Sequence, residues 1–138
     1  MFVLDTTTIS DYLRGNKGIR DRFRLTSSDL IFTTSITKFE IEYGLIKNPK
    51  LREVYRRPLG LLYDTIGYLE FEDDSAIEAA RIKHELFTAG TPIGAEDMMI
   101  GAIARSCQYV VVTSNVRHFS LIKGLEVENW RDDCGKIL

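Results

Sequence analysis

Five short apolar runs, separated by segments with helical periodicity, constrain this chain more than any other feature. The runs are Phe2-Val3-Leu4, Leu30 to Thr33, Tyr68 to Phe71, Tyr109 to Thr113 and Leu125 to Glu128, the last predicted to be an edge strand. Strands that alternate with helices predict an α/β fold with a central, mainly parallel sheet flanked by helices. The spacing predicts helices over about 7–14, 17–25, 35–47, 50–66, 76–87 and 95–107. Gly15-Asn16, Asn48-Pro49 and Gly90 with Pro92 act as stops. Pro58 and Gly60 predict a break or kink within the fourth helix, and Ser75 with Glu78 reads as a capping box opening the fifth. The helix over 95–107 is apolar almost all round, which marks a central buried element.

With 138 residues, 44% hydrophobic and 28% charged, the chain is expected to form a single domain over 1–138, without repeats or linkers, large enough to bury its own core. No apolar run reaches the ~20 residues of a membrane helix, and the N-terminus has no signal-peptide pattern. Cys107 and Cys134, with no CxxC, read as reduced thiols of a cytoplasmic protein. The net charge of −2 is unevenly spread. Residues 14–24 and 47–57 each carry five basic side chains against one acidic, a combined +8 against −10 elsewhere. Such stretches suit a phosphate-binding rim, and equally suit solvated helix faces.

Three carboxylates occupy positions that a core would not choose. Asp5 directly follows the first strand, where an open α/β sheet binds ligands; it is equally well placed to cap the next helix. Glu40 lies among Ile36, Phe39, Tyr43 and Gly44 on a face expected to point inward, where a bare charge costs several kcal/mol or more. Asp97 sits in the first turn of the most apolar helix, where an acid also complements the helix dipole. Thr113-Ser114-Asn115 breaks the strand at 109–112, and lies beside Asp5 if those strands are neighbours. Crowded like charges raise one another's pKa, and oxygen-rich acidic sites select Mg²⁺ or Mn²⁺. His84 and His118 show no metal-ligand spacing, which argues against zinc, and His118 reads as a surface-loop residue. GxSxG, GxxxxGK[ST] and GxGxxG are all absent, so hydrolase-elbow, P-loop and dinucleotide chemistries lack their carriers.

Four segments in order, Leu4-Asp5-Thr6, Thr34 to Gly44, Thr91 to Ile100 and Val112 to Phe119, resemble PIN-domain proteins. Within them the likeness is to the VapC-type toxin ribonucleases of toxin–antitoxin pairs, and it runs from residue 2 to about Trp130. It implies a metal-dependent endoribonuclease, with Asp5, Glu40 and Asp97 at the acidic positions that hold Mg²⁺ or Mn²⁺. Thr6 falls on a supporting hydroxyl position and Asn115, next to Thr113, on a fourth position that is Asp in many relatives. Thr7 stands where the usual pattern has Asn. The resemblance further implies an RNA substrate, a cognate antitoxin protein that blocks the acidic pocket, and a homodimer, with Leu45, Leu61 and Leu62 as candidate contacts. Two other readings stay open: a catalytically weakened RNA- or protein-binding module on the same fold, and a metal-dependent phosphatase of small substrates.

Overall fold

A computed structural model describes residues 1–131; Cys134 therefore lies outside the described residues. Five strands form one all-parallel sheet in the order β3-β2-β1-β4-β5: β1 (Phe2–Leu4), β2 (Ile31–Thr34), β3 (Gly67–Leu69), β4 (Val110–Val112) and β5 (Val127–Glu128). The chain builds outward from β1 to β2 and β3, then returns to lay β4 against the other side of β1. That reversal opens a crevice beyond the carboxyl ends of β1 and β4.

Helices cover both faces. Strand pleating sends Leu4 and Val112 into one core, and Val3 and Val111 into the other. The first core is roofed by α1 (Thr6–Leu13), α2 (Lys17–Leu25), α3 (Ser35–Lys47) and α4 (Pro49–Thr65). They contribute Ile9, Ile19, Ile41, Leu59 and Leu62. The second packs α5 (Asp73–Thr88), α6 (Ala95–Cys107) and α7 (Val116–Phe119) through Ile82, Leu86, Ile100, Ala102 and Phe119. Residues 100–104 of α6 are all buried, as its apolar circumference requires. Arg105 then clamps this layer. It donates to Glu78 at 2.7 Å, to Glu85 at 3.1 Å and to the Lys123 carbonyl at 3.0 Å, and its two partners hold the guanidinium in its charged form despite partial burial.

The structure departs from the sequence expectations in identifiable ways. No break occurs at Pro58: α4 is one helix, with Pro49 at its start and Pro58 inside it. The capping box does not form, because α5 begins three residues earlier, with Glu72 at its cap. Ser75 is buried within it, and Glu78 is drawn to Arg81 and Arg105 instead. Phe39 and Tyr43 are 60% and 55% exposed, so the inward face of α3 is carried by Thr37, Ile41 and Leu45. Leu45 and Leu62 belong to the core and are not available for dimer contact, whereas Leu61 is exposed.

Gly67 is required where β3 meets β2. A Cβ there would lie 2.3 Å from a ring carbon of Phe32, whose ring is stacked on Tyr109 at 5.3 Å between centroids. Gly67→Ala is expected to lower unfolding stability by about 1–3 kcal/mol through overpacking, read as a reduced urea midpoint. An unchanged midpoint would show that Phe32 can move freely.

Candidate active site

The end of β1 turns directly into α1, and Asp5 occupies the junction. Its carboxylate does both things the sequence left open. Oδ1 accepts the Thr8 N–H at 2.9 Å, capping α1, and also the Thr7 hydroxyl at 2.8 Å. Oδ2 accepts the Thr113 hydroxyl at 2.6 Å from the end of β4. The strands are neighbours, so residues 108 positions apart meet. The backbone seals the junction: Asp5 N–H and the Thr8 hydroxyl both donate to the Val112 carbonyl. Asp5 is 1% exposed. Burial raises its pKa, and the three hydroxyl and amide donors oppose that rise.

Glu40 projects from α3, a helix capped by Thr34 onto the Thr37 N–H at 3.1 Å. The Thr6 hydroxyl donates to its carboxylate. Partial burial raises the Glu40 pKa; the Thr6 bond lowers it, and the charges of Asp97, Glu96 and Asp5 raise it further. Those influences place Asp5, Asp97 and Glu96 each within electrostatic reach of Glu40.

Asp97 does not cap α6: Gly94 occupies the cap, with no side-chain bond. The Asp97 carboxylate instead accepts the Asn115 amide at 2.8 Å, and His118 Nδ1 stands 3.4 Å from the same oxygen and 2.8 Å from Asn115 Nδ2. His118 is a surface residue, with its side chain 41% exposed, but it stands in a short helix and not in a loop. The short helix α7 carries it back to the site. The available signal was its spacing of three from Asn115, which puts both on one face of a helical turn. Glu96, beside Asp97 in the same first turn, was the other residue overlooked.

Among the described residues, no lysine or arginine forms an ion pair with Asp5, Glu40, Glu96 or Asp97. Each of the three principal carboxylates is held by hydroxyl, amide or imidazole groups. As they stand, no three histidine, cysteine, aspartate or glutamate side chains among the described residues surround a common point closely enough to enclose a metal ion. The donor chemistry nevertheless fits a hard divalent cation: carboxylate oxygens carrying negative charge that no lysine or arginine of the described residues pairs with.

The two basic stretches differ sharply in what their charges do. In α2, Lys17 and Arg24 pair with Asp21; Arg22 pairs with Glu128 and lies over Trp130; Arg20 donates to the Tyr12 carbonyl. In and around α4, Lys50, Arg52, Arg56 and Arg57 are exposed and form no ion pair with a described residue. Of the first stretch, Arg14 alone is exposed without an ion pair to a described residue; most of the uncommitted positive charge lies in the second.

The PIN domain family model matches residues 2–125. The chain belongs to the PIN-domain family. This PIN domain is 36% identical to the tRNA(fMet)-specific endonuclease VapC of Salmonella typhimurium, over 94% of this chain and 97% of the relative. It is 32% identical to the protein of the same description from Shigella flexneri, with the same coverage of both. Among solved structures it is similar to the DNA-bound VapBC of Salmonella typhimurium. The TM-score is 0.85 at 35% identity, with 94% of this chain and 97% of that chain covered. These likenesses place it with the VapC-type PIN domains.

Proposed function

We propose that this PIN domain is a metal-dependent endoribonuclease, the toxin of a toxin–antitoxin pair, and that its 138 residues work as one nuclease unit. The observation that supports the reading is that Asp5 and Asp97 lie within electrostatic reach of Glu40, with no lysine or arginine of the described residues paired to any of the three. Relatives that are named as endonucleases over nearly their whole length support it.

Mg²⁺ or Mn²⁺ held by Asp5, Glu40 and Asp97 would supply Lewis acidity toward the scissile phosphate and the attacking water. The protein's own groups do the positioning. Thr6 fixes Glu40; Thr7, Thr8 and Thr113 fix Asp5; Asn115 and His118 hold Asp97. The exposed charges of α4 attract the RNA backbone, and affinity is therefore expected to fall steeply with salt.

The acidic pocket suits a cognate antitoxin that inserts an arginine or lysine among the carboxylates. A homodimer would use the exposed apolar stripe Phe39, Tyr43 and Ile46 of α3 in place of the buried Leu45 and Leu62. The site of action is the cytoplasm; among the described residues no helix is long and apolar enough to cross a membrane.

Purified protein incubated with structured RNA is expected to cleave it in Mg²⁺ or Mn²⁺ and to stop when EDTA is added. RNA binding without cleavage in either metal would favour the weakened binding module, a reading that the neutral Asn115 at the fourth position motivates. Release of phosphate from nucleoside monophosphates would favour the phosphatase.

A further inference from the structure

Two cavities adjoin the acidic cluster, and α1 forms the ridge between them. The first, about 160 Å³, lies among α1, α3 and α4 and is mainly apolar. Leu13, Ile41, Leu51 and Tyr55 wall it, and Glu40 stands at its edge. Tyr55 is half-buried, packed against the core while also bordering the cavity. The second, about 310 Å³, has a mixed polar and apolar surface and is bordered by Thr7, Ser10, Asp11, Arg14, Ser114 and Arg131. Thr6, Ser10 and Arg14 line both. Arg131 is tethered by Asp11 at 3.5 Å, and Arg14 forms no ion pair with a described residue.

Gly44 supplies an independent observation. It sits within α3 and borders the apolar cavity, yet a Cβ there would meet no atom within 4 Å. Glycine in a helix interior costs about 1 kcal/mol relative to alanine, and nothing in the packing of the chain demands it. The missing side chain keeps the cavity open.

We propose that these cavities form a one-nucleotide subsite: an unstacked RNA base lies in the apolar half against Tyr55, and its phosphate is held in the other half by Arg14 and Arg131. The inference rests on the ribonuclease reading and names how that site grips its substrate. An apolar slot next to guanidiniums and hydroxyls matches the two halves of a nucleotide. Single-stranded RNA is recognised in this manner, through bases splayed onto aromatic rings and phosphates on arginine. Charge at Arg14, which pairs with no described carboxylate, favours a phosphate over the basic peptide segment suited to the carboxylates; Arg131 adds to it while sharing its charge with Asp11.

The test compares short random-sequence single-stranded RNA with an abasic ribose-phosphate oligomer of equal length, by fluorescence anisotropy in EDTA. The parent protein is expected to prefer the RNA by about tenfold. Tyr55→Leu and Gly44→Leu should each erase that preference, and Arg14→Gln should weaken both oligomers alike. Gly44→Ala, melting no lower than the parent, checks that the glycine is dispensable to the fold. Equal binding of the two oligomers by the parent, or an undiminished preference in Gly44→Leu, overturns the subsite. A peptide-only pocket gives that same result. The cleavage assay in Mg²⁺ or Mn²⁺ is read separately. Cleavage by a parent protein that shows no base preference removes the subsite and keeps the ribonuclease. Base preference without cleavage of any RNA removes the ribonuclease and keeps the pocket.

Discussion

Asp97→Asn is expected to reduce metal-dependent RNA cleavage by more than about a hundredfold, since even residues behind the ligands of a metal site cost 10–100-fold. The same substitution should leave metal-free stability within about 1 kcal/mol of the parent, because two small effects oppose each other. Losing a first-turn charge weakens the match to the α6 dipole, but Glu96 remains in that turn. Removing the charge also relieves Glu40, whose carboxyl is pushed up by burial and then by the charges of Asp97, Glu96 and Asp5. Urea unfolding in EDTA, alongside the cleavage assay, separates the two outcomes. A variant that cleaves like the parent would remove the acidic cluster from the chemistry altogether.

Asn115→Asp carries the second large effect, in the opposite direction for metal and fold. The Asn115 amide donates to Asp97 at 2.8 Å; a carboxylate there would face a carboxylate at the same distance. Without metal the variant should be less stable than the parent, and Mg²⁺ or Mn²⁺ should raise its melting temperature more than it raises the parent's. Calorimetric titration of Mn²⁺ measures the gain in affinity directly. If affinity does not rise, position 115 does not face the ion. A marked increase in cleavage would show that the amide limits the natural activity.

Protons should partly substitute for metal. Asp5 and Glu40 both have raised pKa values when folded, so the stability linked to their protonation is fully present below the unfolded values and is lost as pH rises through the folded ones. The metal-free protein is therefore expected to gain stability from these two groups as pH falls from neutrality toward the carboxylate range. The melting-temperature shift produced by Mn²⁺ should shrink over the same interval. A shift independent of pH would show that neither carboxylate changes its charge on binding.

The architecture was legible because hydrophobic periodicity reports how each segment meets the core. Val110-Val111-Val112 and the apolar helix at 95–107 needed no knowledge of their neighbours to be read as strand and buried helix. Asp5 and Asp97 were legible for a related reason: an acid placed at the end of a strand or the start of an apolar helix stands where parallel connections converge. The errors lie where local and tertiary preferences compete. Ser75 and Glu78 have capping spacing, but Arg105, 27 residues beyond Glu78, offers a charged partner that a cap cannot match. Pro58 lacks an N–H, yet packing of Leu59 and Leu62 against the first core carries α4 through it.

By itself, then, the sequence determined the parallel α/β layout, and it singled out three acidic side chains as candidates, since both follow from patterns read along the chain. Only the tertiary structure decided which groups hold those acids: Thr113 for Asp5, Thr6 for Glu40, Asn115 and His118 for Asp97. It also separated the α2 cations, already partnered by Asp21, Glu128 and the Tyr12 carbonyl, from those left exposed along α4. Hydrogen bonds and ion pairs act over about 3 Å in space, while their partners here stand as many as 108 positions apart in the chain.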